Sequence, residues 1–232
     1  MRSSAQALLI VAACSPERSD PGAADPCDGQ AAPQSIDAVV DHLNTLPQPV
    51  TAPCVVRSLA RPLRVEATSD PLSAQPADGP DSPRFFFHVG DLRIALVATG
   101  DGAGVIEFGE ATDALHSVKG ELPMPITTEL SAEDPHDEIA DDQYGTGCAV
   151  CHVEQEALPG GGWSSIVIRP EDHSLVDLGG LARQAPGCVL EADPDDARCA
   201  LLVAIFEGEV VHTPFPAAYP TLVELAEAGP FE

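Results

Sequence analysis

Residues 145–155 read GTGCAVCHVEQ and place two thiols and an imidazole within five positions: Cys148, Cys151 and His152. Three chemistries are open to such a set. The thiols can form thioethers to a prosthetic group while the imidazole ligates its metal. Thiolates and imidazole can instead bind a metal ion directly. The two thiols can also exchange with a disulfide. Which one applies depends on the compartment the chain occupies and on what its other cysteines do: Cys14, Cys27, Cys54, Cys188 and Cys199.

The 232 residues are 44% hydrophobic, enough for a sizeable core in one large domain or two small ones. Aromatics are sparse at 4%, whereas Pro (23) and Gly (19) abound, so many turns and short elements are expected. Acidic residues outnumber basic ones 37 to 11, for a formal charge of −26. That surface repels nucleic acid phosphates, so nucleic acid is set aside as a partner. It keeps an exported protein soluble and suits a redox partner with a basic face.

The first residues supply an address. Arg2 precedes an apolar run over residues 5–13 that is too short to span a bilayer, and residues 1–13 read as a signal peptide. Val11-Ala12-Ala13-Cys14 resembles the lipobox of bacterial lipoproteins. The resemblance implies cleavage before Cys14, lipidation of Cys14 and a membrane anchor made of acyl chains alone. The protein is then exported and periplasmic or cell-surface, with Ser15 compatible with outer-membrane sorting. Residues 14–34, rich in Pro, Ala, Gly and Asp, read as a flexible tether.

Exported proteins keep disulfides. With Cys14 assigned to lipid and Cys148 and Cys151 to the CxxCH, four cysteines remain. Sequence proximity suggests Cys27–Cys54 and Cys188–Cys199, one of three possible connectivities.

The pattern along the chain is β-rich. Ser35 can cap a helix over residues 36–46 whose apolar face is Ile36, Val39, Val40 and Leu43, stopped by Pro47. Residues 54–59 and 62–68 read as short strands. Residues 84–89 and 91–99 flank Gly90-Asp91 as a hairpin, with Phe85, Phe87 and Val89 on one face and Phe86 and His88 on the other. Further strands are expected over 104–110, 116–126 and 163–170, a helix over 195–206 and a short helix near 222–228. The expected class is α+β: an antiparallel sandwich or barrel over 35–140, then a short helical CxxCH segment and a small C-terminal part over 141–232, either separate or continuous with the first. The acidic stretch 131–147 reads as the boundary.

Cys148-Ala149-Val150-Cys151-His152 resembles the haem-attachment motif of c-type cytochromes. The resemblance implies one covalent haem c, with thioethers from Cys148 and Cys151 and His152 as proximal iron ligand. Residues 155–157 can prolong the helical turn as far as Pro159. Small cytochromes c use a downstream methionine on the other side of the iron, but Met1 and Met124 both lie upstream. His173 is the candidate distal ligand, with His212, His116, His136 and Met124 as alternatives. The expected role is electron transfer, a carrier rather than an enzyme; an open sixth site would favour small-ligand or peroxidase-like chemistry. The competing reading is an interaction lipoprotein whose CxxCH holds a disulfide or zinc, the metal completed by His152, Cys188, Cys199 or His173. The acidic clusters at 133–142 and 191–196 read as solvated faces, and Trp163 reads as core packing.

Overall fold

The computed structural model describes residues 25–159, 161–190 and 196–228. Cys14 and the signal-peptide and lipobox residues lie outside this range. The chain is α+β. Among the described residues there are ten strands: β1 (Leu63–Thr68), β2 (Arg84–Val89), β3 (Leu92–Val97), β4 (Val105–Ala111), β5 (His116–Pro123), β6 (Ala140–Asp141), β7 (Gly145–Thr146), β8 (Glu156–Ala157), β9 (Trp163–Ile166) and β10 (Val210–His212). Six α-helices accompany them: α1 (Ile36–Leu43), α2 (Ala52–Ser58), α3 (Asp134–Glu138), α4 (Leu178–Leu190), α5 (Ala197–Phe206) and α6 (Leu222–Ala228).

Eight strands make one open mixed sheet, in the order β10-β1-β2-β3-β4-β5-β9-β8, so the expected barrel does not close. All pairings in it are antiparallel except β1 with β10. Strands from both sides of the expected boundary at 131–147 share this sheet. Part of that boundary is α3, which packs on β5: a Cβ on Gly120 would sit 2.9 Å from the Pro135 side chain.

Cross-strand register sorts the side chains. Val65, Phe87, Ile94 and Phe108 stand in one row, and Ala67, Phe85 and Leu96 in the next. This face is apolar because alternate residues of every strand are large hydrophobes. It carries α1, α2, α4 and α5, whose Val39, Val55, Leu181 and Leu201 complete the core. The Ser35 hydroxyl caps α1 as expected, accepting from Ala38 N–H at 3.1 Å, and Glu110 near the end of β4 accepts from Ile36 N–H at 2.8 Å.

The other face is polar: Thr68 opposes Arg84, Phe86 opposes Ala95, which opposes Glu107, and Gly109 opposes Lys119. It is covered by irregular chain from 147–153, 167–171 and 213–222. The buried Glu66 carboxylate accepts Phe215 N–H at 2.8 Å, and Phe86 meets Phe215 edge-on at 5.0 Å, fastening that cover.

Three expectations are corrected. Residues 54–58 belong to α2, not to a strand, because Pro53 sits in the first turn, where its missing N–H costs nothing. Residues 25–34 of the expected tether dock on the fold: Cys27 is bonded to Cys54, and Ala31 bridges Leu59. The helix α4 was not among the expected elements, and it is held by the Cys188–Cys199 disulfide to α5. Both expected disulfides are thus present, as suits an oxidising environment.

Candidate functional site

The CxxCH sits where β7 hands the chain to the polar face. Gly147 N–H donates to Ile139 O at 2.9 Å, and the Thr146 hydroxyl accepts from Cys148 N–H at 3.1 Å, starting a 3₁₀ turn over Gly147–Val150. Both Cys151 and His152 N–H then donate to Cys148 O, at 3.1 and 2.9 Å. The turn does not continue as the expected helix to Pro159. Glu154 takes φ 58°, and residues 156–157 pair as β8 against β9. The residues that follow His152 therefore join the sheet instead of extending a helix.

His152 is fixed in one orientation. Its Nδ1 lies 2.7 Å from Ile166 O, and a carbonyl only accepts, so Nδ1 carries the hydrogen and Nε2 keeps its lone pair. Burial of the ring, with Lys119 and Arg84 nearby, lowers its pKa to about 3, so the imidazole is neutral. This is how metal-bound histidines are commonly held, through the nitrogen that does not ligate. Cys148 and Cys151 are free thiols. Burial, ahead of the charge of Glu107, pushes the Cys148 thiol up, opposite to the depressed pKa of a redox-exchange cysteine.

Cys148, Cys151 and His152 line a cavity of about 180 Å³ between the polar sheet face and its cover. The sheet wall brings Arg84, Phe86, Arg93, Glu107 and Lys119; the cover brings Val167, Arg169 and Phe215. Four of the chain's 11 basic residues line this one space, in a molecule of formal charge −26. Arg84 pairs with Glu107 and stacks over Phe86, its carbon 4.6 Å from the ring centroid. Arg93 donates to the Tyr219 hydroxyl at 3.2 Å. Yet the Nε atoms of both arginines and Glu107 Oε1 are buried without a hydrogen-bond partner. Unpartnered buried polar atoms are costly, and around a cavity they point to a polar ligand.

Sequence reasoning missed Lys119. It is the single lysine of the chain, and that count was the available signal. Its Nζ donates to Ser117 Oγ at 2.6 Å, and burial lowers its pKa to about 8. None of the histidines expected opposite His152 lines the cavity. His173 is exposed on the 3₁₀ turn Asp172–Ser174. His212 is exposed beside Glu66, His116 pairs with Asp113 and Glu154, and His136 donates to Lys119 O. Met124 packs against the core. Trp163 lies on Gly145, where an added Cβ would come within 2.7 Å of the ring.

The donor set bears on the competing chemistries. Among the described residues no three His, Cys, Asp or Glu side chains converge to hold a metal ion. The zinc reading loses Cys188 and Cys199, which are bonded to each other. A haem needs no such convergence, because its two vinyl groups and its iron lie apart; the free thiol pair and the oriented imidazole fit it. A porphyrin is larger than the cavity, so seating one requires the cover to move outward. No protein-family model, curated protein or solved structure matches this chain.

Proposed function

We propose that the protein is an exported, monohaem c-type electron carrier anchored to a membrane by lipid on Cys14. One observation carries the reading: two free thiols and an imidazole with Nδ1 tied to Ile166 O share the wall of one cavity. If haem is bound, Cys148 and Cys151 would hold it through thioethers, each S–H adding across one vinyl group so that no oxidant is needed. His152 Nε2, left free by the Nδ1 contact to Ile166 O, would ligate its iron. The unpartnered Nε–H groups of Arg84 and Arg93 are available to the two carboxylates of the group. When bound, haem supplies the one-electron couple of its iron. The lining of Phe86, Val167 and Phe215 restricts water around it.

The anchor reading rests on the lipobox resemblance at residues 11–14. Among the described residues no helix is long and apolar enough to cross a membrane. The test is expression with the native leader in a strain that attaches haem c. One covalent haem per chain, retained on a denaturing gel, is the expected result. It should be lost in Cys148→Ala with Cys151→Ala. Colourless wild-type protein from that strain would refute the reading.

A further inference from the structure

We propose that the notch over Gly109, between Arg93 and Lys119, is a binding site for a small aliphatic dicarboxylate. The inference does not rest on the haem reading: it concerns the cavity as it stands, with its cover closed. Sheet register builds the notch. Arg93 on β3, Gly109 on β4 and Lys119 on β5 stand in one row of the polar face. Two strand spacings put the backbones of the outer two about 10 Å apart. Gly109 brings no side chain between them, and a Cβ there would meet only Ser117 Oγ, at 3.7 Å. Ala95 in the adjoining row is small too, and all four residues line the cavity.

The two cations that flank the notch have neutral partners. Lys119 Nζ donates to Ser117 Oγ at 2.6 Å, and Arg93 donates to the Tyr219 hydroxyl at 3.2 Å and to Asp91 O at 3.4 Å. Among the described residues neither has a carboxylate within ion-pair distance, whereas the cavity's other two basic residues are paired, Arg84 with Glu107 and Arg169 with Asp172. The remaining acids of the wall are engaged as well. Asp70 accepts Leu72 N–H at 2.8 Å, and Glu171 accepts Val223 N–H at 3.1 Å. Enclosed charge without a counter-charge is costly, and a bound anion supplies it. Cations at the two ends of a floor of Ala95 and Gly109, facing Phe86, Val167 and Phe215, fit a ligand with a carboxylate at each end and methylenes between. A compact oxyanion offers that lining no apolar middle.

The experiment titrates the full-length chain, made in a strain that does not attach haem, with succinate in a calorimeter. One site per chain is expected. Butyrate, which lacks the second carboxylate, should bind at least about tenfold more weakly, and Lys119→Met and Arg93→Gln should each weaken succinate by a similar factor. Gly109→Ala keeps both charges and meets no clash, but its methyl occupies the floor of the notch and should weaken succinate too. Arg183→Gln, which removes an exposed arginine outside the cavity, should leave binding unchanged. Wild type that binds no succinate, or binds butyrate equally well, overturns the proposal whether or not the variants fold. Succinate binding unmoved by Lys119→Met and Arg93→Gln overturns it, and so does inorganic phosphate bound as tightly as succinate. Failure in this haem-free preparation leaves the haem reading standing, and colourless protein from the attaching strain leaves this site standing.

Discussion

His88 on β2 is where the polar face sets the acid sensitivity of the molecule. Its Nε2 is buried without a partner, Arg93 stands across the strand pair, and Phe215 packs on the ring at 5.1 Å. Burial first, then the charges of Arg93 and Arg64, lowers its pKa from 6.5 to about 4. The unfolded chain therefore takes up this proton first. The contribution of His88 is unchanged above pH 6.5 and is lost as pH drops from 6.5 towards 4, and His152, lowered to about 3, acts in the same direction. Urea midpoints measured across that window should decline, and His88→Gln should make the decline shallower without removing the share of His152. A variant with the wild-type slope would show that His88 does not carry it. At this scale the sequence was informative about type and adjacency: Cys148, Cys151 and His152 could be read directly. Lys119 could not be linked to them, since only the folding of the His152 segment over the polar face of the sheet brings the two to one cavity.

Among the elements, β7 and its turn hold the site in place. Gly145 takes φ +82°, and the Trp163 ring lies where a Cβ would go. Gly145→Ala combines a left-handed backbone with a steric clash and should cost about 1–3 kcal/mol. Denaturant titration checks the stability, and haem yield should fall with it because the turn over Gly147–Val150 starts from this strand. Most strands were legible, since alternation and the Gly90 turn are local signals. The α2 segment was misread because CVVRS is rich in β-branched residues; tertiary burial of Cys54, Val55 and Val56 outweighed that preference. The strand β10 was missed because three residues pairing in parallel with a partner far upstream leave no local trace.

For the molecule as a whole, the formal charge of −26 surrounds a cavity that gathers four of the 11 basic residues. On the proposed function, that charge would attract a cationic redox partner at long range. Electron transfer between the holoprotein and a cationic redox protein should slow at least about tenfold as ionic strength rises from about 0.01 to about 0.15 M, where the screening length shrinks from about 30 to about 8 Å. Stopped-flow mixing measures this, and an anionic reductant should show the reverse trend. A rate independent of salt with the cationic partner would remove the charge from the account of recognition.

Taken alone, the sequence determined what depends on neighbouring bonds: the CxxCH spacing, the hairpin at Gly90, the Ser35 cap and the proximity that pairs Cys27 with Cys54 and Cys188 with Cys199. Only the tertiary structure decided that the strands form one open sheet, that its polar face is covered, and that Lys119, Arg84 and His152 share a cavity. The reason is physical. Local signals are fixed by chain geometry over a few residues. The make-up of a cavity depends on which strands pair and in what register, and that choice is made by burying the apolar face of the whole sheet at once.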